Sequence, residues 1–190
     1  LLGLLGSTSL GQIDVNETGL HDANEVYGIN GSAFPNPWAN NESISLFARG
    51  ETEPNLYAST FFYAYGIYSD PNVTNAGAID VNAVGGNASG AGTVRASITA
   101  YGLYANGDVN NTGAIQVAAT GGNADGASTW AYSVKEIYGI LSYRNVLNEG
   151  AISVLGTGGT AANSIGVPDA SIRAYGISGQ MNVDNRNTIA

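Results

Sequence analysis

Residue types that commonly carry out chemistry are sparse in this sequence of 190 residues. There is no cysteine and one histidine, His21, so the chain has no thiolate nucleophile, no disulfide and no histidine-based metal site. Paired carboxylates could cleave a glycosidic bond. Asp14 and Asp80 fall at the same outward position of a sequence repeat, but other copies carry Ser or Gln there. We therefore expect no enzymatic activity, no catalytic residue and no cofactor.

One aromatic and acidic segment could bind a ligand. Residues 31–40 contain Phe34 and Trp38, and Glu51 and Glu53 follow shortly after them. Aromatic rings beside carboxylates suit a carbohydrate or a protein partner. The same aromatic side chains could instead cover the end of a repetitive core, because the terminal repeats of such proteins are atypical. Both interpretations stay open at this stage.

The charge balance excludes some classes of partner. Six Lys and Arg against 15 Asp and Glu give a net charge of −9, which leaves no basic surface for nucleic acid. No apolar run approaches the roughly 18 residues of a membrane helix. Structural calcium at Asp and Asn turns stays an alternative, since residues 121–125 share part of a calcium-binding repeat. Six triplets permit N-glycosylation, at Asn16, Asn30, Asn41, Asn72, Asn87 and Asn110.

A repeat of about 37 residues organises the chain. Its first signature is a Tyr-Gly-Ile/Leu triplet, which occurs five times, and its second is a pair of glycines followed by an Ala-rich polar stretch. The third is Asn-X-Gly-Ala-Ile-X-Val, which follows the triplet by nine or ten residues. Three signatures on one period predict a solenoid, because units of this kind bury an apolar face only against their neighbours.

Within each unit, apolar and polar residues alternate as they do in a strand with one buried face, as in Ile79 to Ala83. Coils stacked about 4.8 Å apart turn each repeated position into a ladder. The aliphatic ladder is expected to contain Ile13, Ile44, Ile79, Ile115, Ile152 and Ile189. An aromatic stack is expected from Tyr27, Tyr65, Tyr101, Tyr138 and Tyr175. An amide ladder is expected at a bend, from Asn75, Asn111, Asn148 and Asn185.

These patterns predict an all-β parallel β-helix, or β-solenoid, with about five units in a single domain over residues 1–190. Residues 1–64 are expected to form degenerate or capping coils with a loop insertion at residues 31–40, and residues 65–190 the regular repeats. One wide coil of three strands per unit is favoured over two short coils, because the halves of a unit differ. The 27 glycines are expected at corners that need a positive φ.

The Tyr-Gly-Ile triplet and the Asn-X-Gly-X-Ile-X-Val alternation resemble the repeats of bacterial autotransporter passengers and related surface adhesins. The resemblance covers residues 60–190 well and residues 9–59 loosely. It implies a right-handed parallel β-helix at the cell surface or outside the cell. The unit of about 37 residues is longer than the coil typical of those proteins.

These features together favour an extracellular structural protein, a surface fibre, stalk or adhesin, with a glycan or another cell-surface molecule as partner. Residues 11–15 and 187–189 lie at nearly the same phase of the repeat, and unblocked sheet edges recruit further strands. We therefore expect head-to-tail self-association into a filament, with the apolar residues 1–5 crossing into a neighbour. The same open ends would also be found if the sequence were a segment of a longer passenger, whose further coils lie in the same chain. The alternative is a polysaccharide-binding or polysaccharide-cleaving β-helix that uses residues 31–63.

Overall fold

The structure is a computed structural model that describes residues 12–20, 24–54, 60–126, 130–133, 135–163 and 167–190. His21 and residues 1–5 lie outside the described residues. The described residues form 22 β-strands and no helix. In chain order the strands are β1 (Gln12–Leu20), β2 (Asn24–Asn30), β3 (Trp38–Asn40), β4 (Ser43–Gly50), β5 (Glu53–Pro54), β6 (Phe62–Ser69), β7 (Val73–Asn75), β8 (Ile79–Val84), β9 (Ala88–Gly90), β10 (Val94–Arg95), β11 (Ile98–Ala105), β12 (Val109–Asn111), β13 (Ile115–Thr120), β14 (Ala124–Gly126), β15 (Trp130–Tyr132), β16 (Lys135–Ser142), β17 (Val146–Asn148), β18 (Ile152–Thr157), β19 (Ala161–Asn163), β20 (Val167–Asp169), β21 (Ile172–Gly179) and β22 (Val183–Asn185).

The strands form five parallel sheets, each built from equivalent strands of successive repeats. Sheet A has the order β1-β4-β8-β13-β18, sheet B has β2-β6-β11-β16-β21, and sheet C has β3-β7-β12-β17-β22. Sheet D has β5-β9-β14-β19, and sheet E has β10-β15-β20. A full turn of the chain passes through sheets B, C, A, D and E in that order. One repeat therefore corresponds to one turn of a β-solenoid.

The predicted all-β solenoid is confirmed, with about four turns where the sequence indicated about five units. Each repeat is one wide coil, because strand partners lie a whole repeat apart, as in the pairing of Ile79 with Ile115. The prediction of three strands per coil is wrong, because the polar stretch after the glycine pair also pairs with its copy in the next coil. This pairing forms the short strands of sheets D and E. The right-handed twist expected from the resemblance stays a prediction.

The core is a narrow column of aliphatic side chains contributed by sheets A, B and C. In β8, Ile79, Val81 and Ala83 are almost fully buried, whereas Asp80 and Asn82 between them are exposed. A second, smaller core of alanine and valine side chains lies where sheets D and E face each other. Alternation within each strand thus places apolar side chains inside the coil and leaves the polar ones outside.

The first coil is shorter than the others. Three residues separate β1 of sheet A from β2 of sheet B, whereas the 11 residues 51–61 separate β4 from β6. Three residues are too few to add strands to sheets D and E. Among the described residues, the end of the solenoid that carries β1 therefore has strands of sheets A, B and C alone.

Many glycines in this fold lie where a Cβ atom would clash with a neighbouring coil or with a core side chain. Among the described residues, Gly19 is the one glycine with a positive φ, at 77°, so the prediction that the corners need positive φ is wrong. A methyl group on Gly102 would lie 2.3 Å from Cγ2 of Ile115 and 2.6 Å from the carbonyl oxygen of Gly139. The glycine of the Tyr-Gly-Ile/Leu triplet is required because sheets A and B pack closely at that point.

We predict that Gly102→Ala lowers the free energy of unfolding by about 2 kcal/mol, because the added methyl group meets a backbone carbonyl and a core side chain. Gly158→Ala is the matched control, since the nearest atom to its methyl group would be Cδ1 of Ile172 at 3.9 Å. We expect that variant to stay within about 0.5 kcal/mol of the parent. Urea unfolding followed by circular dichroism measures both, and equal effects would contradict the packing explanation.

Candidate functional site

A column of five asparagines, four of them buried and the last one exposed, occupies the corner between sheets C and A. In each of the four steps, Nδ2 donates a 2.7 Å hydrogen bond to Oδ1 of the asparagine in the next coil. It also donates to the carbonyl oxygen two residues further along its own coil, as from Asn75 to Gly77 at 2.9 Å. The column contains the four predicted asparagines and one more, and its members are Asn40, Asn75, Asn111, Asn148 and Asn185.

This asparagine ladder has a direction, because every coil donates to the coil that follows it in the sequence. At one end, Oδ1 of Asn40 accepts from the backbone N–H of Glu42 at 3.1 Å. At the other end, Nδ2 of Asn185 donates to the carbonyl oxygen of Asn187 at 2.6 Å. The two ends of the ladder therefore differ chemically, one presenting an acceptor and the other a donor.

The structure also brings the predicted isoleucines and tyrosines into two columns. Ile13, Ile44, Ile79, Ile115, Ile152 and Ile189 pair in one register along sheet A. On sheet B the tyrosine rings stack with centroids 4.9–5.1 Å apart and planes within 6–12° of parallel. The stacked rings are those of Tyr27, Tyr65, Tyr101, Tyr138 and Tyr175.

A second tyrosine column, which the sequence interpretation missed, lies beside the first. The rings of Tyr68 and Tyr104 stack at 5.1 Å, and Tyr68 meets Tyr65 edge-on at 5.6 Å. The signal for this column is a tyrosine three residues after the tyrosine of two triplets. Together the two columns cover much of the outer face of sheet B with packed aromatic rings.

Burial raises the pKa of six phenols in these columns, and neighbouring carboxylates add to the effect. The hydroxyl of Tyr27 donates to Glu25, for example, and Glu136 lies beside Tyr138. The six residues are Tyr27, Tyr65, Tyr68, Tyr101, Tyr104 and Tyr138. Their hydroxyls stay protonated at neutral pH, so they donate hydrogen bonds and provide no phenolate nucleophile.

A second polar ladder, also missed from the sequence, lies at the corner between sheets B and C. The backbone N–H of Asp108 donates to Oδ1 of Asn72 at 2.8 Å, and the backbone N–H of Asn145 donates to Oδ1 of Asp108 at 3.0 Å. Nδ2 of Asn182 continues the series with a 3.2 Å bond to Oδ1 of Asn145. The signal was present, because these four residues each stand six positions after the triplet glycine.

Lys135 occupies a core position that its neighbours in register fill with Ile98 and Ile172. Its side chain is fully buried, and Nζ donates to Oγ of Ser133 at 3.1 Å. Ser133 in turn donates to the carbonyl oxygen of Gly122 at 2.8 Å. Burial lowers the pKa of the Lys135 ammonium group, which favours the neutral amine. The position could have been identified from the repeat, since its counterparts in two other coils are isoleucines.

The four candidate ligand-contact residues belong to different parts of the coil. Trp38 of β3 is only 9% exposed, and its Nε1 donates to Oγ of Ser69 at 2.8 Å. Phe34 is 41% exposed and packs edge-on against Trp38 at 4.9 Å. Glu51 is exposed after β4 of sheet A, and Glu53 lies in β5 of sheet D. The Trp38 ring thus fills the core, as the capping interpretation requires, and offers little surface to a sugar.

Asp14 and Asp80, which the repeat places at equivalent positions, are not neighbours in the stack of coils. The register of sheet A places Ser45 between Asp14 and Asp80. A shallow groove of about 370 Å³ on this sheet includes one carboxylate, Asp80, in its lining. No cluster of three or more His, Cys, Asp or Glu among the described residues could hold a metal ion.

The glycosylation triplets are mostly accessible. Asn72 is half-buried and its Oδ1 accepts a hydrogen bond in the second polar ladder. The exposed asparagines of the other five triplets are Asn16, Asn30, Asn41, Asn87 and Asn110. The part of the chain that the structure describes contains no helix long and apolar enough to cross a membrane.

The fold and its ladders define a β-solenoid repeat protein. Comparison of the chain with family models, curated proteins and solved structures finds no match. The resemblance to autotransporter passengers therefore stays a prediction from the repeat pattern.

We predict that Asn111→Ala lowers the free energy of unfolding by about 3 kcal/mol, because it removes hydrogen bonds to Asn75, Gly113 and Asn148 and leaves buried polar atoms unpaired. Asn110→Ala is the control, since the neighbouring Asn110 is exposed, and it should change stability by less than about 0.5 kcal/mol. Urea unfolding measures both variants. A ladder variant as stable as its control would show that the amide column contributes little.

We predict that stability falls as the pH rises above about 10, where tyrosines of the unfolded chain ionise. Burial in the folded protein raises the pKa values of these tyrosines. Above pH 10 the unfolded chain therefore binds fewer protons than the folded chain does, and unfolding becomes more favourable as the pH rises. Tyr101→Phe keeps the ring stack but removes one such phenol, so its stability should fall less steeply over that range. Lys135 is present in both proteins, so the difference between their stability curves reports on the Tyr101 phenol alone.

Thermal unfolding at a series of alkaline pH values, combined with phenolate absorbance, makes this comparison. If the phenolate absorbance that appears near pH 10 in the folded protein is smaller in Tyr101→Phe than in the parent, the Tyr101 phenol is not buried as described.

Proposed function

We propose that this protein is an extracellular structural β-solenoid, a surface fibre, stalk or adhesin that associates head to tail into a filament. The role is a passive one: the chain provides a stiff, repetitive body whose outer surface can meet a glycan or another cell-surface molecule. The location outside the cell is supported by the resemblance of its repeats to surface adhesins.

The observation that carries the proposal is the parallel stacking of equivalent strands in one register, which gives successive coils the same pairing edge. Val183 is 45% exposed although its neighbour in register, Val146, is 2% exposed. Ile189 is 44% exposed, and its neighbour Ile152 is 2% exposed. An unpaired strand edge with apolar side chains favours the addition of another strand. A second copy of the same chain would add strands to sheets A, B and C.

The rest of the described surface supports a structural role over a chemical one. Its ladders use hydrogen bonds and ring stacking between identical residues, and its phenols are held in the neutral form. These features stabilise the stack of coils. They do not bring a nucleophile, a general acid and a general base together at one place. A protein of this kind acts through its length and its surface.

We predict that the purified protein forms oligomers whose size grows with concentration, seen as filaments one solenoid wide in electron micrographs and as a broad series of species in sedimentation velocity. Val183→Lys, on the exposed edge, should reduce assembly because edge lysines oppose strand addition. Thr112→Lys adds the same charge on the outer face of an inner coil and should leave assembly unchanged.

Two results would contradict this proposal. The first is a monomer at every concentration tested. The second is retention or cleavage of a polysaccharide in a glycan panel that is lost in Phe34→Ala or Glu53→Ala, since that would favour the alternative function based on residues 31–63.

A further inference from the structure

Tyr143 departs from the repeat at the position that follows the strands of sheet B. The equivalent residues after β6, β11 and β21 are Asp70, Asn106 and Gln180, which are all polar. Tyr143 is 42% exposed. The following coil is in place beyond it, since the backbone N–H of Gln180 donates to the carbonyl oxygen of Ser142 at 3.1 Å. The phenol of Tyr143 is therefore accessible at a corner within the stack of coils.

Tyr143 packs against Tyr104, which lies in β11 of the preceding coil. The backbone N–H of Tyr143 donates to the carbonyl oxygen of Ala105 at 3.1 Å, which holds the two tyrosine backbones side by side. The ring centroids are 5.9 Å apart and the ring planes are inclined by 66°. The two hydroxyls lie close enough to interact electrostatically. The residue in register with Tyr104 is Leu141, so Tyr143 contacts Tyr104 from the corner.

Two phenols held side by side can be joined by oxidation. A one-electron oxidant removes an electron from each ring, and each hydroxyl releases its proton to water, which leaves two phenoxyl radicals. The two unpaired electrons form a C–C bond between ring carbons that adjoin the hydroxyls. The hydrogens on those carbons then move to the oxygens, which restores both phenols. Two electrons and two protons leave in total, and a haem peroxidase transfers them to hydrogen peroxide, which becomes two waters.

The geometry of this bond favours Tyr104 and Tyr143 over the stacked tyrosines. The new bond lies in the plane of both rings, so two rings that face each other cannot form it where they stand. Consecutive rings of the first tyrosine column have planes within 6–12° of parallel. Tyr68 faces Tyr104 in the same way, with planes within 6° of parallel. The ring of Tyr143 is inclined to Tyr104 and, because it is exposed, has room to rotate into the bonding position.

Other pairs of tyrosines on sheet B also meet edge-on, but they are less suited to coupling. Tyr27 meets Tyr68 at 79°, yet the Tyr27 hydroxyl donates to Glu25 and the Tyr68 hydroxyl donates to Asp70. The pairs of Tyr65 with Tyr68 and with Tyr104 each contain a buried ring that cannot rotate freely. Tyr104 and Tyr143 therefore combine contact across coils, neighbouring hydroxyls and freedom of one ring to move.

We infer that Tyr104 and Tyr143 form an oxidative modification site, at which a haem peroxidase with hydrogen peroxide, or another one-electron oxidant, makes a dityrosine cross-link. The link joins β11 to the residue that follows β16 and so ties one coil to the next. The chain has no cysteine, so the dityrosine supplies a covalent tie that disulfides cannot. A cross-link that closes a loop restricts the unfolded chain, which stabilises the folded one. The inference goes beyond the proposed function and does not depend on self-assembly.

The test oxidises the full chain with the photo-excited ruthenium tris-bipyridine complex and persulfate, which together remove single electrons. Dityrosine fluorescence is measured in the single-chain band of a denaturing gel, so that links between molecules do not contribute. Protease digestion and mass spectrometry should find the peptide of Tyr104 joined to that of Tyr143 with the loss of two hydrogens. Tyr104→Phe and Tyr143→Phe should each abolish the fluorescence of this band. Tyr138→Phe is the matched control, since Tyr138 stacks between two parallel rings, and it should keep the fluorescence.

Two further measurements separate a site made by the fold from random oxidation. Oxidation in urea should lose the preference for this pair, and the linked parent should unfold at a higher urea concentration than the untreated protein. Single-chain dityrosine that survives Tyr143→Phe, a link that maps to other tyrosines, or no dityrosine in the parent would each overturn the inference. None of these results bears on the proposed function, which is tested by assembly of the untreated protein.

Discussion

A buried side-chain amide at one corner of the coil forms hydrogen bonds to its own coil and to both neighbouring coils, and this requirement governs the rest of the structure. Nδ2 of Asn75 bonds both Gly77 of its own coil and Asn111 of the following one. Leaving such a group unpaired costs about 1–3 kcal/mol. Successive members of the ladder are 35–37 residues apart. The amide contact thereby holds the length of a coil nearly constant, and the register of every sheet follows from it.

The unusual composition follows from the same stacking. Equivalent residues stand one strand spacing apart, so a repeated charge would face its own copy and destabilise the sheet. The exposed charges that do meet across coils have opposite signs, as in Arg173 with Glu136 and Arg186 with Glu149. Tyrosine and asparagine tolerate repetition because rings stack on rings and an amide both donates and accepts. Lys135 is an exception, because it places an ionisable group inside the coil. Its burial lowers the pKa of the ammonium group, which favours the neutral amine.

The sequence was sufficient for the features that repetition imposes, and insufficient for those that depend on distances between sheets. The columns of Ile79, Tyr65 and Asn75 could be predicted, because stacked coils need the same residue at the same place. Sheets D and E could not, since strands of two or three residues carry no alternation to detect. The role of Gly102 was misjudged because it depends on the gap between sheets A and B. Lys135 was overlooked because a charged residue type indicates exposure, whereas its neighbours in register, Ile98 and Ile172, indicate a buried position.

The buried amide ladder can be tested most directly by nuclear magnetic resonance, through hydrogen exchange of individual asparagine side chains. The Nδ2 protons of Asn75 and Asn111 should exchange far more slowly than those of Asn110, which neighbours Asn111 in the chain but is exposed. This protection should weaken from the central coils towards Asn185 at the exposed edge. Equal, rapid exchange at Asn75, Asn110 and Asn111 would contradict the ladder and the register built on it.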